Sequence, residues 1–324
     1  TLFRSPWKTF FHTMEKWARF FHTMENFFRI FLHHGKIFST VWKTRRPLRY
    51  ARMNPARPTE LLAPAGEKAA AYAAFTFGAD AVYTGLPRFS ARADAVNLSA
   101  RELEEIAAYA HAQTRPRRVY VTLNTLVREA ELPDLVRSLA LCADCGVDAV
   151  IVQDFGVARL ARKHFPALRL HASTQMALHN LEGVRAAARL GFSRITLARE
   201  LTLAEIRAIA KQAPAEIETF LHGALCYSYS GLCLYSALLR DRSGNRGACA
   251  YPCRDAFQAL PPAGATSDHI YKYSHYPVAG SSGLVFSMKD LAAGASAQDL
   301  AQASVASLKI EGRKKSPLYV AAAV

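Results

Sequence analysis

The chain has 324 residues, of which 51% are hydrophobic and 21% charged. These are the proportions of a folded globular protein, and they exclude a chain disordered along its length, a collagen-like repeat and a small disulfide framework. The formal net charge is +15, but residues 1–52 carry eleven Lys/Arg against two Asp/Glu, so the other 272 residues contribute only +6.

Residues 1–52 read as foreign to the rest of the chain. Thirteen of the 34 aromatic residues are here, with all three tryptophans, Trp7, Trp17 and Trp42. The hexapeptide Phe-Phe-His-Thr-Met-Glu occurs at 10–15 and again at 20–25, a period of ten that matches no common repeat architecture. A basic aromatic arm of this kind suits RNA or a membrane surface. The favoured reading is translated upstream sequence, with the natural start at Met53, because a coherent domain begins just after it. The domain organisation expected is therefore an N-terminal extension over 1–52 and one domain over 53–324.

From Thr59 onward short apolar runs alternate with helical patterns. The predicted strands are Glu60–Ala63, Ala81–Thr84, Val119–Asn124, Ala149–Gln153, Leu168–Ala172, Arg194–Ala198, Ile217–Leu221 and Ser307–Ile310. Apolar runs between helices imply parallel strands covered on both faces. Capping boxes at Ser99/Glu102 and Thr202/Glu205 mark helix starts, and Gly78, Gly146 and Gly191 mark helix stops. Eight β/α units over about 250 residues predict a closed TIM-like (β/α)8 barrel, with an open doubly wound sheet as the alternative. Two departures are expected. The interval after the seventh strand holds a Cys-rich insertion, 223–286, with a Gly-, Pro-, Tyr- and Ser-rich stretch at 261–283. The eighth helix opens with Ser316 as cap and Pro317 in its first turn and is cut short at Val324, which reads as a truncation that leaves part of the barrel wall uncovered.

Barrel chemistry belongs at the C-terminal ends of the strands, and here those ends are polar. Asn124 follows the third strand, Gln153 and Asp154 the fourth. His171, Ser173 and Gln175 close the fifth, Arg199 and Glu200 the sixth, His222 the seventh, and Lys309, Glu311 and Arg313 the eighth. Residues two apart share a face, so a converging polar pocket is predicted. Arg199, Lys309 and Arg313 are candidates to hold an anion or phosphate, and His171, Gln175 and His222 to recognise a base or move protons. Glu200 and Glu311 join them as catalytic candidates, with Arg199 or Lys309 as an ordinary ion-pair partner for Glu311. Asn124, Asp154, Arg246 and Arg313 are substrate-binding candidates.

Four of the six cysteines, Cys226, Cys233, Cys249 and Cys253, lie within 28 residues at the spacing C-x6-C-x15-C-x3-C. Four thiolates are what a [4Fe–4S] cluster requires. A structural Zn2+ is the alternative, although zinc sites usually pair cysteines at shorter spacings, and four separately packed thiols are a third reading. Cys142 and Cys145 fall late in a helical pattern, where packing is the expected role. The cysteine usage points to a reducing, cytoplasmic compartment, and no run is apolar enough to predict a membrane span. The sequence lacks Gly-x-Ser-x-Gly, His-Glu-x-x-His, a Walker A loop and Gly-x-Gly-x-x-Gly, the usual marks of serine hydrolases, zincins, nucleotide hydrolases and Rossmann dehydrogenases.

Glu60-Leu-Leu-Ala-Pro-Ala-Gly66, Gly78-Ala-Asp-Ala-Val-Tyr83, His222-Gly-Ala-Leu-Cys226, Tyr229-Ser-Gly231, Asn245-Arg-Gly247, Cys249 with Cys253-Arg254, Ser287-Met-Lys-Asp-Leu291 and Leu308-Lys-Ile-Glu-Gly-Arg313 resemble the collagenase-like peptidase family from about Thr59 onward. Val121-Thr-Leu-Asn-Thr125, Val150-Ile-Val-Gln-Asp154, Leu170-His-Ala-Ser-Thr-Gln175 and Ala198-Arg-Glu200 most resemble its branch that hydroxylates a cytidine of 23S ribosomal RNA. The resemblance implies an iron–sulfur RNA-modifying enzyme, with the four cysteines at the family's cluster positions and prephenate as a small anionic metabolite linked to hydroxylation. It leaves as alternatives a peptidase, as the family name says, and hydroxylation of a transfer RNA uridine or a ubiquinone precursor. Tyr227 and Tyr229 are candidates to stack on a base or to pack.

Overall fold

The computed structural model describes residues 58–258 and 282–324. The basic aromatic stretch 1–52 and most of the stretch 261–283 lie outside the described residues. Eight parallel strands close into a barrel, as expected: β1 (Glu60–Pro64), β2 (Ala81–Gly85), β3 (Arg118–Leu123), β4 (Ala149–Val152), β5 (Arg169–Ala172), β6 (Phe192–Thr196), β7 (Glu216–Gly223) and, further on, β11 (Ser307–Ile310). β11 sits between β7 and β1, and β6 pairs with β7, so the ring has no open edge. A TIM-like (β/α)8 barrel is thus the fold.

Alternation along each strand builds two separate cores. Val150 and Val152 face outward into the main core between strands and helices. Ala149 and Ile151 face inward and join Leu62, Ala81, Tyr83 and Tyr120 inside the barrel. β6 begins and ends two residues earlier than predicted. Leu197 N–H still donates to the Glu218 carbonyl of β7 (3.0 Å), and the chain then leaves the ladder, Ala198 N–H donating to the Leu178 carbonyl instead (3.1 Å).

The helices are α1 (Lys68–Thr76), α2 (Ala100–His111), α3 (Leu132–Asp144), α4 (Phe155–His164), α5 (Leu181–Arg189) and α6 (Leu203–Ala210), followed by α7 (Tyr235–Arg240), α8 (Ala297–Gln302) and α9 (Pro317–Ala323). Both predicted capping boxes form, at Ser99/Glu102 and Thr202/Glu205. Cys142 is fully buried in the helix–strand core and Cys145 packs beside it, which confirms packing as their role. Burial pushes the Cys142 thiol up to about 12. α9 opens on Ser316, whose hydroxyl accepts from Tyr319 N–H (3.4 Å), and buries Val320 in the same core.

The insertion after β7 contains α7, the short strands β8 (Phe257–Gln258) and β9 (Ser282–Gly283), which pair with each other, and β10 (Leu291–Ala292). β10 pairs antiparallel with the end of β7, Ala292 opposite His222 and Leu291 opposite Gly223. Among the described residues no helix is long and apolar enough to cross a membrane.

Candidate active site

The barrel interior is ionic at its N-terminal end. Arg194 on β6 is 1% exposed. Its guanidinium pairs with Glu60 of β1 and with Glu216 of β7 (2.8 Å), and lies 3.6 Å from Glu218. Tyr120 donates to Glu60 (2.7 Å), and Arg118 and Arg169 reach Glu60 and Glu216 from β3 and β5. Glu218 also takes Lys309 Nζ (2.8 Å) and the Thr196 hydroxyl (2.8 Å). Burial alone would raise the Glu218 carboxyl, but Lys309 and Arg194 outweigh it and hold the group below the usual carboxylate range. None of Glu60, Arg194, Glu216 and Glu218 was singled out from sequence. Their signal was a charged residue at inward positions of otherwise apolar strands.

Above this layer sit the predicted β11 residues. Lys309 Nζ lies 4.4 Å from the Tyr83 ring centroid. Glu311 does not pair with Arg199 or Lys309, which corrects the sequence expectation. It takes Arg92 (2.9 Å) and the Tyr83 hydroxyl (3.0 Å), because Lys309 is committed to Glu218 one pleat below. Arg313 is buried. It donates to Ser90 Oγ (2.5 Å), Thr122 Oγ1 (2.9 Å) and Asn97 Oδ1. With only neutral oxygens in contact, burial dominates and lowers its pKa to about 10. Gly85 is required here, because a Cβ would collide with this guanidinium and with Asn97.

On the β4–β5 side, His171 is 1% exposed and stands edge-on to Tyr120, ring centroids 4.7 Å apart. Neither ring nitrogen has a hydrogen-bond partner among the described residues. Burial first, then the positive charges of Arg194, Arg169, Lys309 and Arg118, push its pKa well below the usual value, so the ring is neutral. The side-chain oxygens of Gln153 and Gln175 are likewise buried without partners. Arg199 donates through Nε to Ser230 Oγ (3.3 Å). Glu200 accepts from Ser230 N–H (2.8 Å) and stands 3.2 Å from His179 Nε2. The sequence singled out Arg199 and Glu200 but neither Ser230 nor His179 as a partner. His222, at the end of β7, faces the Tyr319 ring at 6.1 Å.

The remaining predicted substrate residues are spent on the frame. Asp154 caps α4 through Gly156 N–H (2.7 Å) and Val157 N–H (3.2 Å), and takes Val127 N–H as well. Asn124 accepts from Ala91 N–H (2.9 Å). Arg246 clasps Glu131 (2.6 and 3.0 Å) and the Leu126 carbonyl (2.9 Å). Its hydrogen bonds lower the Glu131 carboxyl to about 2. With Leu126 N–H donating to the Asn245 carbonyl (3.0 Å) and Ala93 N–H to the Gly247 carbonyl (3.3 Å), the Asn245-Arg-Gly247 motif stitches the insertion to the loops after β2 and β3. This segment of the insertion therefore lies against the loops at the barrel mouth.

The four clustered cysteines carry free thiols, Cys226 exposed and the other three half-buried. The Cys253 thiol is raised by burial and by the nearby Cys226 and Cys249. Tyr251 N–H donates to Cys249 Sγ (3.4 Å), and Asn245 Nδ2 to the Cys233 carbonyl (3.4 Å). Arg254 bonds the Leu225 carbonyl (2.8 Å), Ser287 Oγ (2.6 Å) and the Met288 carbonyl (2.8 Å), fixing the segment beside Cys226. Tyr227 packs on Phe286 and Tyr229 tilts toward His179. Among the described residues no three Cys, His, Asp or Glu side chains are gathered as a single metal ion requires.

A closed barrel, a polar mouth and a thiol-bearing loop beside it define a (β/α)8 barrel protein with a dedicated Cys-rich insertion. The chain belongs to the family described as Peptidase family U32, whose model matches residues 66–324. It is 40% identical over 261 residues to the Escherichia coli protein named "23S rRNA 5-hydroxycytidine C2501 synthase", covering 81% of this chain and 37% of that one. It is 35% identical over 297 residues to the "tRNA hydroxylation protein P" of Escherichia coli, covering 81% of this chain and 65% of that one. It is also 32% identical over 275 residues to a protein of Porphyromonas gingivalis named "Collagenase", covering 81% and 62%. The chain thus spans between about a third and two thirds of the length of these relatives.

Proposed function

We propose that this chain is the barrel portion of an iron–sulfur enzyme that hydroxylates a pyrimidine base in RNA, with a cytidine of 23S ribosomal RNA as the foremost substrate. The observation that carries this reading is the 40% identity, over 81% of the chain, to the relative whose name states that chemistry. The site is compatible with it. Inside the barrel Glu60, Arg194, Glu216, Glu218 and Lys309 are committed to one another, which leaves the mouth residues above them to meet a substrate.

Cys226, Cys233, Cys249 and Cys253 are the residues that would hold a [4Fe–4S] cluster. The donor set is wholly thiol, which favours a cluster, with Zn2+ as the alternative that metal content would reveal. Replacing a ring C–H by C–OH takes two electrons from the base and requires both an oxygen donor and an external electron acceptor; a cluster held by these thiols would relay the electrons between base and acceptor. Arg199 pairs with no carboxylate among the described residues, which suits it to an RNA phosphate or to the carboxylate of an anionic metabolite such as prephenate.

Two measurements test this. Iron and acid-labile sulfide on protein purified without oxygen should each come to about four per chain, and Cys226→Ser should lose them. Zinc without sulfide would overturn the cluster assignment. Nucleoside analysis of ribosomal RNA from a strain lacking the gene should show hydroxycytidine missing, and an unchanged level would overturn the substrate.

A further inference from the structure

Buried side-chain atoms without a hydrogen-bond partner among the described residues occur on Thr84, Gln153, His171, Gln175, His179, Glu218 and Arg313, and three of these residues follow one another at the end of β4, on β5 and in the turn after it. Both nitrogens of His171, and the side-chain oxygens of Gln153 and Gln175, are buried without a hydrogen-bond partner among the described residues. His171 and Gln153 are 1% and 8% exposed. An unmade bond at a buried polar group is destabilising, so native proteins rarely leave several together. These three lie on neighbouring elements. His171 on β5 is level with Ile151 on β4, and Gln153 follows by alternation one inward position above Ile151. Gln175 lies in the turn immediately after β5.

We infer that Gln153 and His171, with Gln175 at the rim, form a subsite that hydrogen-bonds the edge of one neutral, unpaired nucleobase; the inference rests on the RNA-modifying reading above. A primary amide presents one acceptor and two donors, and a neutral imidazole one of each. A set that both donates and accepts and carries no charge matches the edge of a base, which itself mixes amino, ring-nitrogen and carbonyl groups. Three cations of the barrel are already engaged. Arg194 and Lys309 are bound to carboxylates, and Arg313 to neutral oxygens. The depressed pKa of His171 keeps the ring neutral. A flat base swung out of its strand can enter a barrel mouth end-on, whereas a peptide backbone, which also mixes donors and acceptors, would have to thread it. The Tyr120 ring beside His171 adds an apolar wall.

The test uses the full chain and two probes. Saturation-transfer NMR with cytidine reads the subsite alone, with ribose as the base-free control. A hairpin RNA with one unpaired loop cytidine, against the same hairpin abasic at that position, reads the RNA reading. Wild type should saturate cytidine but not ribose and should bind the cytidine hairpin about tenfold more tightly. Gln153→Met and His171→Leu should each remove that tenfold and leave the abasic hairpin unaffected. Both replace an unpaired polar group by an apolar one of similar size, so both should melt at or above the wild-type temperature. Gln175→Leu, at a half-buried position, serves if either fails to fold. Variants that retain the tenfold preference overturn the subsite. So does a cytidine signal no larger than that of ribose, even if both hairpins bind. Variant-sensitive saturation of a Gly-Pro-Ala tripeptide in place of cytidine overturns it in favour of a peptide. Cytidine saturation without hairpin binding upholds the subsite and overturns the RNA reading.

Discussion

Replacing Arg194 by Leu leaves Glu60, Glu216 and Glu218 facing one another inside the barrel without their shared cation. Removing one partner of a buried ionic network costs about 3–5 kcal/mol, far more than the loss of a surface pair. Urea unfolding at pH 7 should show a loss of that size, shrinking in acid as the carboxylates take up protons. His171 has the opposite chemistry. Its folded pKa is depressed by burial and by neighbouring positive charge, so below the unfolded value of about 6.5 the unfolded chain binds a proton that the native ring refuses. Stability is whole above that pH and falls as the pH drops below it. His171→Leu should flatten the pH dependence of stability between about pH 6.5 and 5, and an unchanged slope would show that the native ring accepts the proton. His171 and Lys309 were readable in the sequence because they lie at or near the ends of apolar strands. Arg92 was not, because it reaches Glu311 from the loop after β2, and nothing local marks a loop arginine as facing the barrel.

The join between β7 and β11 sets the height of the Cys-rich loop above the mouth. Glu311 N–H donates to the His222 carbonyl (2.8 Å), and Gly223 follows with φ +110°, where a Cβ would collide with the Glu311 carbonyl oxygen. A methyl group there has neither the conformation nor the space. Gly223→Ala should cost about 1–3 kcal/mol and shift the chain leading to Cys226, so bound iron should fall although every thiol remains. Ser99→Ala, which breaks a distant capping box, should cost about 1 kcal/mol and leave the iron unchanged. Equal iron in both variants would mean that the loop finds its place without this join. The eight barrel strands and the capped helices between them were legible because burial on both faces and helix caps leave periodic, local marks in sequence, whereas α7, which has no side-chain cap, was not. β8, β9 and β10 were not. Two residues have no period, and β10 exists only because β7 runs past the barrel rim and offers its backbone to a partner. The motif Asn245-Arg-Gly247 stood out in sequence, but its task, stitching the insertion to two other loops, is a tertiary fact that residue spacing does not carry.

Charge is a property of the whole molecule, and most of it lies outside the barrel. Residues 1–52 account for nine of the fifteen net positive charges. Phosphate neutralisation by Lys and Arg supplies sequence-independent affinity, and each phosphate left unneutralised reduces the dependence of log K on log salt by about 0.7 for a single strand. Recognition of one base at the barrel mouth contributes differently. It is short-ranged, uncharged and indifferent to salt. The two terms are therefore separable in one experiment. Deleting residues 1–52 should weaken binding to any RNA at low salt and flatten the salt slope, while the ratio between a cytidine hairpin and its abasic counterpart stays at its full-chain value. The barrel should also keep its melting temperature and its measured iron content, since the ring closes on itself through β1 and β11. A deletion that abolishes the cytidine preference as well would place base recognition in the extension, and the protein would then be an RNA-binding arm carried by a barrel. A deletion that changes neither slope nor ratio would leave the charge on residues 1–52 without a role in RNA binding, as expected of translated upstream sequence.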